Sequence, residues 1–102
     1  MIREIEEHRA DLETLCRRFG VSRLELFGSA TRSPFKVDRS DLDFLVEFAP
    51  PIGPGYADRY FGFLEALETM FGRPVDLVVA SAIKNPYFRE SVERTRELLY
   101  AA

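Results

Sequence analysis

The segment from Asp41 to Phe48 constrains the fold more than any other part of the sequence. Every second residue in it is apolar, and successive side chains of a β-strand point to opposite faces. A strand with one wholly apolar face belongs to a sheet that other elements cover. The apolar face consists of Leu42, Phe44, Val46 and Phe48, and the opposite face of Asp41, Asp43, Leu45 and Glu47.

Three helices are predicted from apolar residues that recur with a period of about 3.6 residues. The first stops at Gly20 and the second at Gly72, because glycine commonly ends a helix. Asn85 and Pro86 are typical of the cap and the first position of the last helix. The apolar faces of the three helices are Ile5, Leu12, Leu15, Cys16 and Phe19; Tyr60, Leu64, Leu67 and Phe71; and Phe88, Val92, Thr95 and Leu99.

Two more strands are predicted, Leu24 to Phe27 and Val75 to Val79. Loops are predicted from Ala30 to Ser40 and from Pro50 to Gly55, where polar, Pro and Gly residues cluster. The order is helix, strand, strand, helix, strand, helix, so the expected fold class is α/β (α+β), a small mixed β-sheet covered by helices. At this length, residues 1–102 are expected to form a single domain.

Composition and charge exclude several classes of protein. No apolar run approaches the ~18–20 residues of a membrane span, and the acidic N-terminal segment is unlike a signal peptide. The net charge of −3 disfavours direct binding to nucleic acid. A single cysteine, Cys16, indicates a reducing, cytoplasmic location. With one Cys and one His, any metal would be bound by carboxylates.

Three aspartates occupy strand positions that usually disfavour Asp. Asp41 and Asp43 open one strand and point the same way, and Asp76 interrupts an apolar strand. If these strands are neighbours, about 4.8 Å apart, the carboxylates converge and repel one another unless cations bind. Mg²⁺ prefers such ligands, and two ions about 3.5–4 Å apart support nucleotidyl transfer. Alone, Asp41 and Asp43 are also consistent with a strand start and a solvated face.

Gly28-Ser29 follows a predicted strand, where glycine lets the backbone approach a ligand closely and turn N–H groups can hold phosphate. Arg32 lies three residues further on and could neutralise a triphosphate, with Lys36 and Arg39 as further candidates. Phosphate recognition beside a carboxylate cluster is the arrangement that nucleotidyl transfer needs. Taken alone, Gly28-Ser29 is more typical of an ordinary turn.

Together, three segments resemble the minimal nucleotidyltransferases of the DNA polymerase β superfamily. In that family Gly-Ser precedes a loop and Asp-x-Asp, and a third Asp lies on a later strand. The loop here is one residue longer than usual, and Ser33 stands where the family has Gly. The segments are Leu26-Phe27-Gly28-Ser29-Ala30-Thr31-Arg32, Ser40-Asp41-Leu42-Asp43-Phe44-Leu45-Val46 and Val75-Asp76-Leu77-Val78.

The resemblance implies a polymerase β-like fold and a Mg²⁺-dependent transfer of AMP from ATP to a hydroxyl. It also implies a partner, a HEPN-domain toxin that is silenced by adenylylation of a tyrosine, so that this chain is the antitoxin. Two Mg²⁺ ions are expected. The implied nucleotide-binding residues are Gly28, Ser29 and Arg32, and the implied catalytic and metal-binding residues are Asp41, Asp43 and Asp76.

Two other functions agree with the sequence. The longer loop and Ser33 would suit a chain that has lost catalysis and neutralises its partner by contact alone. A nucleotidyltransferase could also modify a small molecule such as an aminoglycoside. Family members of that kind usually carry an additional helical domain, so this hypothesis ranks last.

Overall fold

The computed structural model describes residues 3–28 and 41–102. Its helices and strands, in chain order, are α1 (Arg3–Glu7), α2 (Arg9–Arg18), β1 (Val21–Phe27), β2 (Leu42–Phe48), α3 (Tyr56–Phe71), β3 (Val75–Val79), α4 (Pro86–Thr95) and β4 (Glu97–Ala101). The strands form one sheet in the order β3-β2-β1-β4. β2 and β3 are parallel, and β1 is antiparallel to both β2 and β4. The predicted fold class, a small mixed sheet covered by helices, is confirmed.

Different helices cover the two faces of the sheet. The even-numbered side chains of β2 pack with α2 and α3 in the main core, as their alternation predicts. On the opposite face Leu45 packs with Phe27, Ile83 and Val92, and Val92 belongs to α4. Burial of these apolar side chains supplies most of the favourable free energy of folding. The fully buried side chains of the main core include Ile5, Leu12, Leu24, Leu26, Leu42, Phe44, Val46, Phe63 and Leu67.

The ends of α3 and α4 agree with the sequence signals. Gly72 follows α3 with φ +64°, a left-handed conformation that glycine adopts readily. Asn85 caps α4, because its side-chain oxygen accepts hydrogen bonds from the N–H groups of Tyr87 and Phe88. The predicted first helix is divided at His8, whose N–H bonds to the carbonyl three residues back, that of Ile5. Over the two described stretches, no helix combines the length and apolarity needed to cross a membrane.

The last helix is shorter than predicted, because a fourth strand follows it. The sequence analysis placed Leu99 on the apolar face of this helix, but α4 ends at Thr95 and Leu99 lies in β4. Leu99 is buried in the main core whereas Leu98 is exposed, the alternation of a strand. β4 pairs with β1. This pairing satisfies backbone groups on the second edge of β1, which would otherwise be buried without partners.

An ion pair between the buried carboxylate of Glu25 and the more exposed side chain of Arg96 joins β1 to the residue after α4. The carboxylate of Glu25 accepts hydrogen bonds from Arg96 at 2.6 and 2.7 Å and from Arg23 at 2.9 Å. These bonds, chiefly that from Arg96, hold the pKa of Glu25 below its ordinary value. Glu25 and Arg96 are 71 residues apart in sequence, so no local pattern reveals the pair.

Replacing Arg96 by Met should destabilise the chain by about 2–3 kcal/mol. Glu25 is 3% exposed, and removing a partner leaves a buried charge poorly compensated. Arg23→Met should cost less, because Arg23 donates a single bond. Urea unfolding at pH 7 measures both losses. The lowered pKa of Glu25 means that its contribution is present above pH ~4.3 and disappears as the pH falls through the folded pKa. The Arg96→Met loss should therefore shrink in acid. A larger loss for Arg23→Met would contradict this order.

Candidate active site

Asp43 and Asp76 lie side by side at the same end of the sheet. They are direct partners in the register of the parallel strands β2 and β3, and side chains of paired residues point to the same face. Leu45 and Val78, two residues further along each strand, share that face. Asp41 is exposed and lies one residue before β2. The structure thus brings together the predicted carboxylates of two strands, because those strands are neighbours.

Gly28 lies against the Asp43 carboxylate from the end of β1. It follows Phe27, which is the register partner of Asp43 in the antiparallel β1–β2 pair. Its φ of +76° lies in the left-handed region that favours glycine. A Cβ built on Gly28 would overlap Oδ2 of Asp43. The site therefore requires glycine here for two reasons, the backbone conformation and the absence of a side chain.

The environment of Asp43 opposes its negative charge. Burial is the largest cause, and the charges of Asp76 and Asp41 add to it, so that the pKa of Asp43 is raised from 3.8 to about 6. Asp41 therefore belongs to the same electrostatic cluster although it lies outside the strand. A cluster of like charges of this kind favours a bound proton or a bound cation. Perturbed carboxylates of this type are common at functional sites.

The raised pKa of Asp43 predicts a pH-dependent stability in metal-free buffer. Between about pH 4 and pH 6 the folded chain binds more protons at this site than the unfolded chain, so stability falls as the pH rises through that window. We expect the melting temperature of the wild type, relative to that of Asp43→Asn, to be lower at pH 7 than at pH 4. Melting curves in EDTA at both pH values give this difference. A difference that does not change with pH would rule out the effect.

The donor set of this cluster fits Mg²⁺ bound together with a nucleotide. Within residues 3–28 and 41–102, no three His, Cys, Asp or Glu side chains form a group that could hold a metal ion by themselves. Mg²⁺ usually keeps several waters and is bound through one or two carboxylates and substrate phosphates. The adjacent carboxylates of Asp43 and Asp76 meet that requirement. The raised pKa of Asp43 shows that its negative charge is unfavourable in this environment, and a bound cation would offset that charge.

Tyr60 borders the site from α3. Its hydroxyl donates to the carbonyl oxygen of Leu77 at 2.5 Å, and Leu77 directly follows Asp76. Burial and the charge of Asp76 raise the pKa of Tyr60. The helical spacing correctly places the ring in the core, where it packs near Phe48. The spacing does not reveal the hydroxyl contact, which depends on which strand lies beside α3.

Of the three predicted nucleotide-binding residues, the structure describes Gly28. Ser29 and Arg32 lie outside the described residues, as do Lys36 and Arg39. Their roles therefore stay predictions. The described part of the site consists of Gly28, Asp41, Asp43 and Asp76, with Tyr60 at its border and Thr95 behind Gly28.

A mixed sheet with paired carboxylates beside a glycine turn is typical of enzymes that transfer phosphorylated groups. The sequence profile of the nucleotidyltransferase domain matches residues 9–99. A candidate protein adenylyltransferase of Methanocaldococcus jannaschii is 36% identical over 92 residues, 90% of this chain and 88% of that protein. The protein adenylyltransferase MntA of Thermococcus cleftensis is 38% identical over 76 residues, 74% of this chain and 73% of that protein. The chain belongs to the nucleotidyltransferase domain family and is a nucleotidyltransferase.

Solved structures agree with this family and with its fold. The structure of a candidate minimal nucleotidyltransferase, 31% identical, has a TM-score of 0.73 and covers 91% of this chain and 90% of that chain. A complex of tri-AMPylated Shewanella oneidensis HEPN toxin with MNT antitoxin contains a chain that is 17% identical, with a TM-score of 0.64. That match covers 95% of this chain and 72% of the other. The resemblance to the minimal nucleotidyltransferases is confirmed.

Proposed function

We propose that this chain transfers AMP from ATP to a hydroxyl group of a protein, in a reaction that depends on Mg²⁺. The observation that carries the proposal is the pairing of Asp43 with Asp76 directly beside Gly28. Nucleotidyl transfer needs a triphosphate held in place and its charge neutralised. A carboxylate pair against a glycine turn offers both within a few residues. The relatives named as protein adenylyltransferases support a protein acceptor.

In the proposed site, Asp41 and Asp43 hold Mg²⁺ and Asp76 completes the set, with two ions expected. Bound Mg²⁺ supplies neutralising charge for the triphosphate and makes the acceptor hydroxyl easier to deprotonate. Asp43 is half-buried between β1 and β3, whereas Asp76 is exposed. This difference supports a role for Asp43 in holding the metal and a role for Asp76 in contacting the acceptor hydroxyl. The proposed nucleotide-binding residues are Gly28, Ser29 and Arg32.

The proposed reaction replaces one P–O bond by another. The acceptor oxygen attacks the α-phosphorus of ATP, the bond from that phosphorus to the α–β bridging oxygen breaks, and pyrophosphate leaves. The acceptor proton passes to the carboxylate of Asp76. Among the described strands β3 lies at one edge of the sheet and β4 at the other, and Asp76 is exposed, so we expect a protein acceptor to reach Asp76 from the side opposite to β2.

We propose a tyrosine of a HEPN-domain toxin as the acceptor, so that this chain acts as an antitoxin in the cytoplasm. The solved complex of a tri-AMPylated HEPN toxin supports the proposal, since its MNT antitoxin shares the fold of this chain. The relative named protein adenylyltransferase MntA supports transfer to a protein. The free, buried thiol of Cys16 suits a reducing compartment.

The test follows label from ATP into protein. The chain is incubated with Mg²⁺, a lysate of its source cells and ATP labelled at either the α- or the γ-phosphate. We expect the α-label, but not the γ-label, on a protein band, lost in EDTA and in Asp41→Asn/Asp43→Asn, and located on tyrosine by mass spectrometry. In addition, Mg²⁺ with a non-hydrolysable ATP analogue should raise the melting temperature of the wild type and not that of the double variant.

Other outcomes separate the alternatives. Transfer of a γ-label that is lost in Asp41→Asn/Asp43→Asn would identify this chain as a kinase. Partner binding that ignores ATP and survives loss of the aspartates, with no label transferred, would favour neutralisation by contact alone. Label that appears on an added aminoglycoside instead of on protein would favour a small-molecule acceptor.

A further inference from the structure

The backbone N–H of Gly28 makes a hydrogen bond to a side chain of α4, that of Thr95. This N–H donates to Oγ1 of Thr95 at 2.9 Å, across 67 residues of sequence. The Thr95 hydroxyl itself donates within α4 to the carbonyls of Ser91 at 3.2 Å and Val92 at 3.4 Å, and Thr95 is 9% exposed. One hydroxyl therefore serves as acceptor and donor at once, which fixes its orientation.

This bond determines where the chain leaves β1. The N–H of Gly28 is directed at Thr95, so the hydroxyl of Thr95 sets the position of Gly28. The position of Gly28 also limits the space of the Asp43 carboxylate, which a Cβ at Gly28 would overlap. A shift of Gly28 thus changes the space available to the Asp43 carboxylate.

Contacts other than the Thr95 hydroxyl also attach α4 to the sheet. The next residue, Arg96, pairs with the buried Glu25 of β1. Val92, one turn earlier, packs in the apolar cluster beneath α4. The ion pair and the apolar contacts hold the helix in place, so the hydroxyl of Thr95 has a separate effect, on the position of Gly28.

We propose that Thr95 is a positioning residue for nucleotide binding, which acts by holding Gly28, one of the proposed nucleotide-binding residues, against the Asp43 carboxylate. The inference rests on the proposed function, because it assigns Thr95 to that same site. Thr95 does not touch the nucleotide. Its effect passes through a single hydrogen bond to the backbone.

The experiment compares three variants with the wild type. Thr95→Val keeps the branched shape but cannot accept the bond, and Thr95→Ser keeps the hydroxyl. Thr14→Val is the matched control, because Thr14 in α2 makes the same helical bond, to the carbonyl of Ala10 at 3.2 Å, far from the site. For each variant we measure the Kd of a non-hydrolysable ATP analogue with Mg²⁺, the KM for ATP and kcat of α-label transfer, and the melting temperature.

We expect Thr95→Val to weaken analogue binding and to lower kcat/KM by about 10–100-fold, the scale of a small displacement of a positioned group. Thr95→Ser should restore both, and Thr14→Val should match the wild type. Analogue affinity in folded Thr95→Val equal to that of the wild type overturns the inference, as does an equal loss in Thr95→Ser. If Thr95→Val does not fold, Thr95→Cys decides by the same criterion, because a thiol is a weak acceptor.

Analogue binding needs no acceptor, which keeps the two proposals separable. If the wild type binds the analogue but transfers no label, the proposed transfer reaction is wrong. The role of Thr95 is then still tested by comparing the affinity of its variants for the analogue with that of the wild type. A wild type that binds no nucleotide overturns both.

Discussion

Asp43→Asn should reduce the transfer of α-labelled AMP by about 10³-fold or more. The amide removes the anionic ligand between β1 and β3, and cation-based stabilisation of a transition state contributes several kcal/mol, at about 1.4 kcal/mol for each tenfold change in rate. The fold should survive, because the neutral form of this side chain already suits its environment, as the raised pKa of Asp43 shows. Initial rates of label transfer and a far-UV circular dichroism spectrum measure the two effects.

Glu47→Gln is the matched control for this variant. Glu47 lies on the same face of β2, is exposed, and is four residues from Asp43 toward the other end of the strand. The control removes the same unit of charge from the same strand, so we expect activity close to that of the wild type. An equal loss in both variants would mean that net charge, and not the site, controls the rate. Full activity in Asp43→Asn would refute the metal assignment.

Gly28→Ala should lower label transfer by about 100-fold, because a misplacement of about 1 Å at a reacting group has an effect of that size. The added Cβ overlaps Oδ2 of Asp43, so the carboxylate or the end of β1 must move. A left-handed conformation also costs an L-residue about 1–2 kcal/mol, so the free energy of unfolding should fall by at least that amount. Label transfer and urea unfolding measure the two losses.

Gly72→Ala separates these two effects. Gly72 has a similar φ, +64°, and a Cβ built there meets no atom within 4 Å. This variant bears the conformational cost without the overlap. We expect a comparable loss of stability with unchanged transfer at temperatures where the chain is folded. If Gly72→Ala lost activity as Gly28→Ala does, the defect would arise from stability alone and the contact with Asp43 would be irrelevant.

The sequence predicts the carboxylate pair because the relevant information is local. Alternation assigns Asp43 to one face of β2, and an apolar run isolates Asp76, so a single assumption, that the two strands are neighbours, brings them together. Whether they are neighbours is a property of the sheet, and the register of β2 and β3 confirms it.

The missed features all depend on which distant elements meet. β4 resembles a continuation of α4 because Leu99 follows Thr95 at helical spacing, and only pairing with β1 makes it a strand. The bonds from Arg96 to Glu25 and from Gly28 to Thr95 join residues 71 and 67 positions apart. Side-chain type alone does not show that a threonine on an apolar helix face faces a backbone N–H.

The strand order β3-β2-β1-β4 has a consequence for synthesis on the ribosome. β1 precedes both of its neighbours in the chain and obtains the second, β4, only when residues 97–101 have been translated, and such long-range pairing slows folding. A nascent chain that ends before Thr95 has the aspartates of β2 and β3 but cannot form the bond that anchors Gly28. We therefore expect nucleotide-binding competence to follow the translation of residues 95–101, together with closure of the sheet.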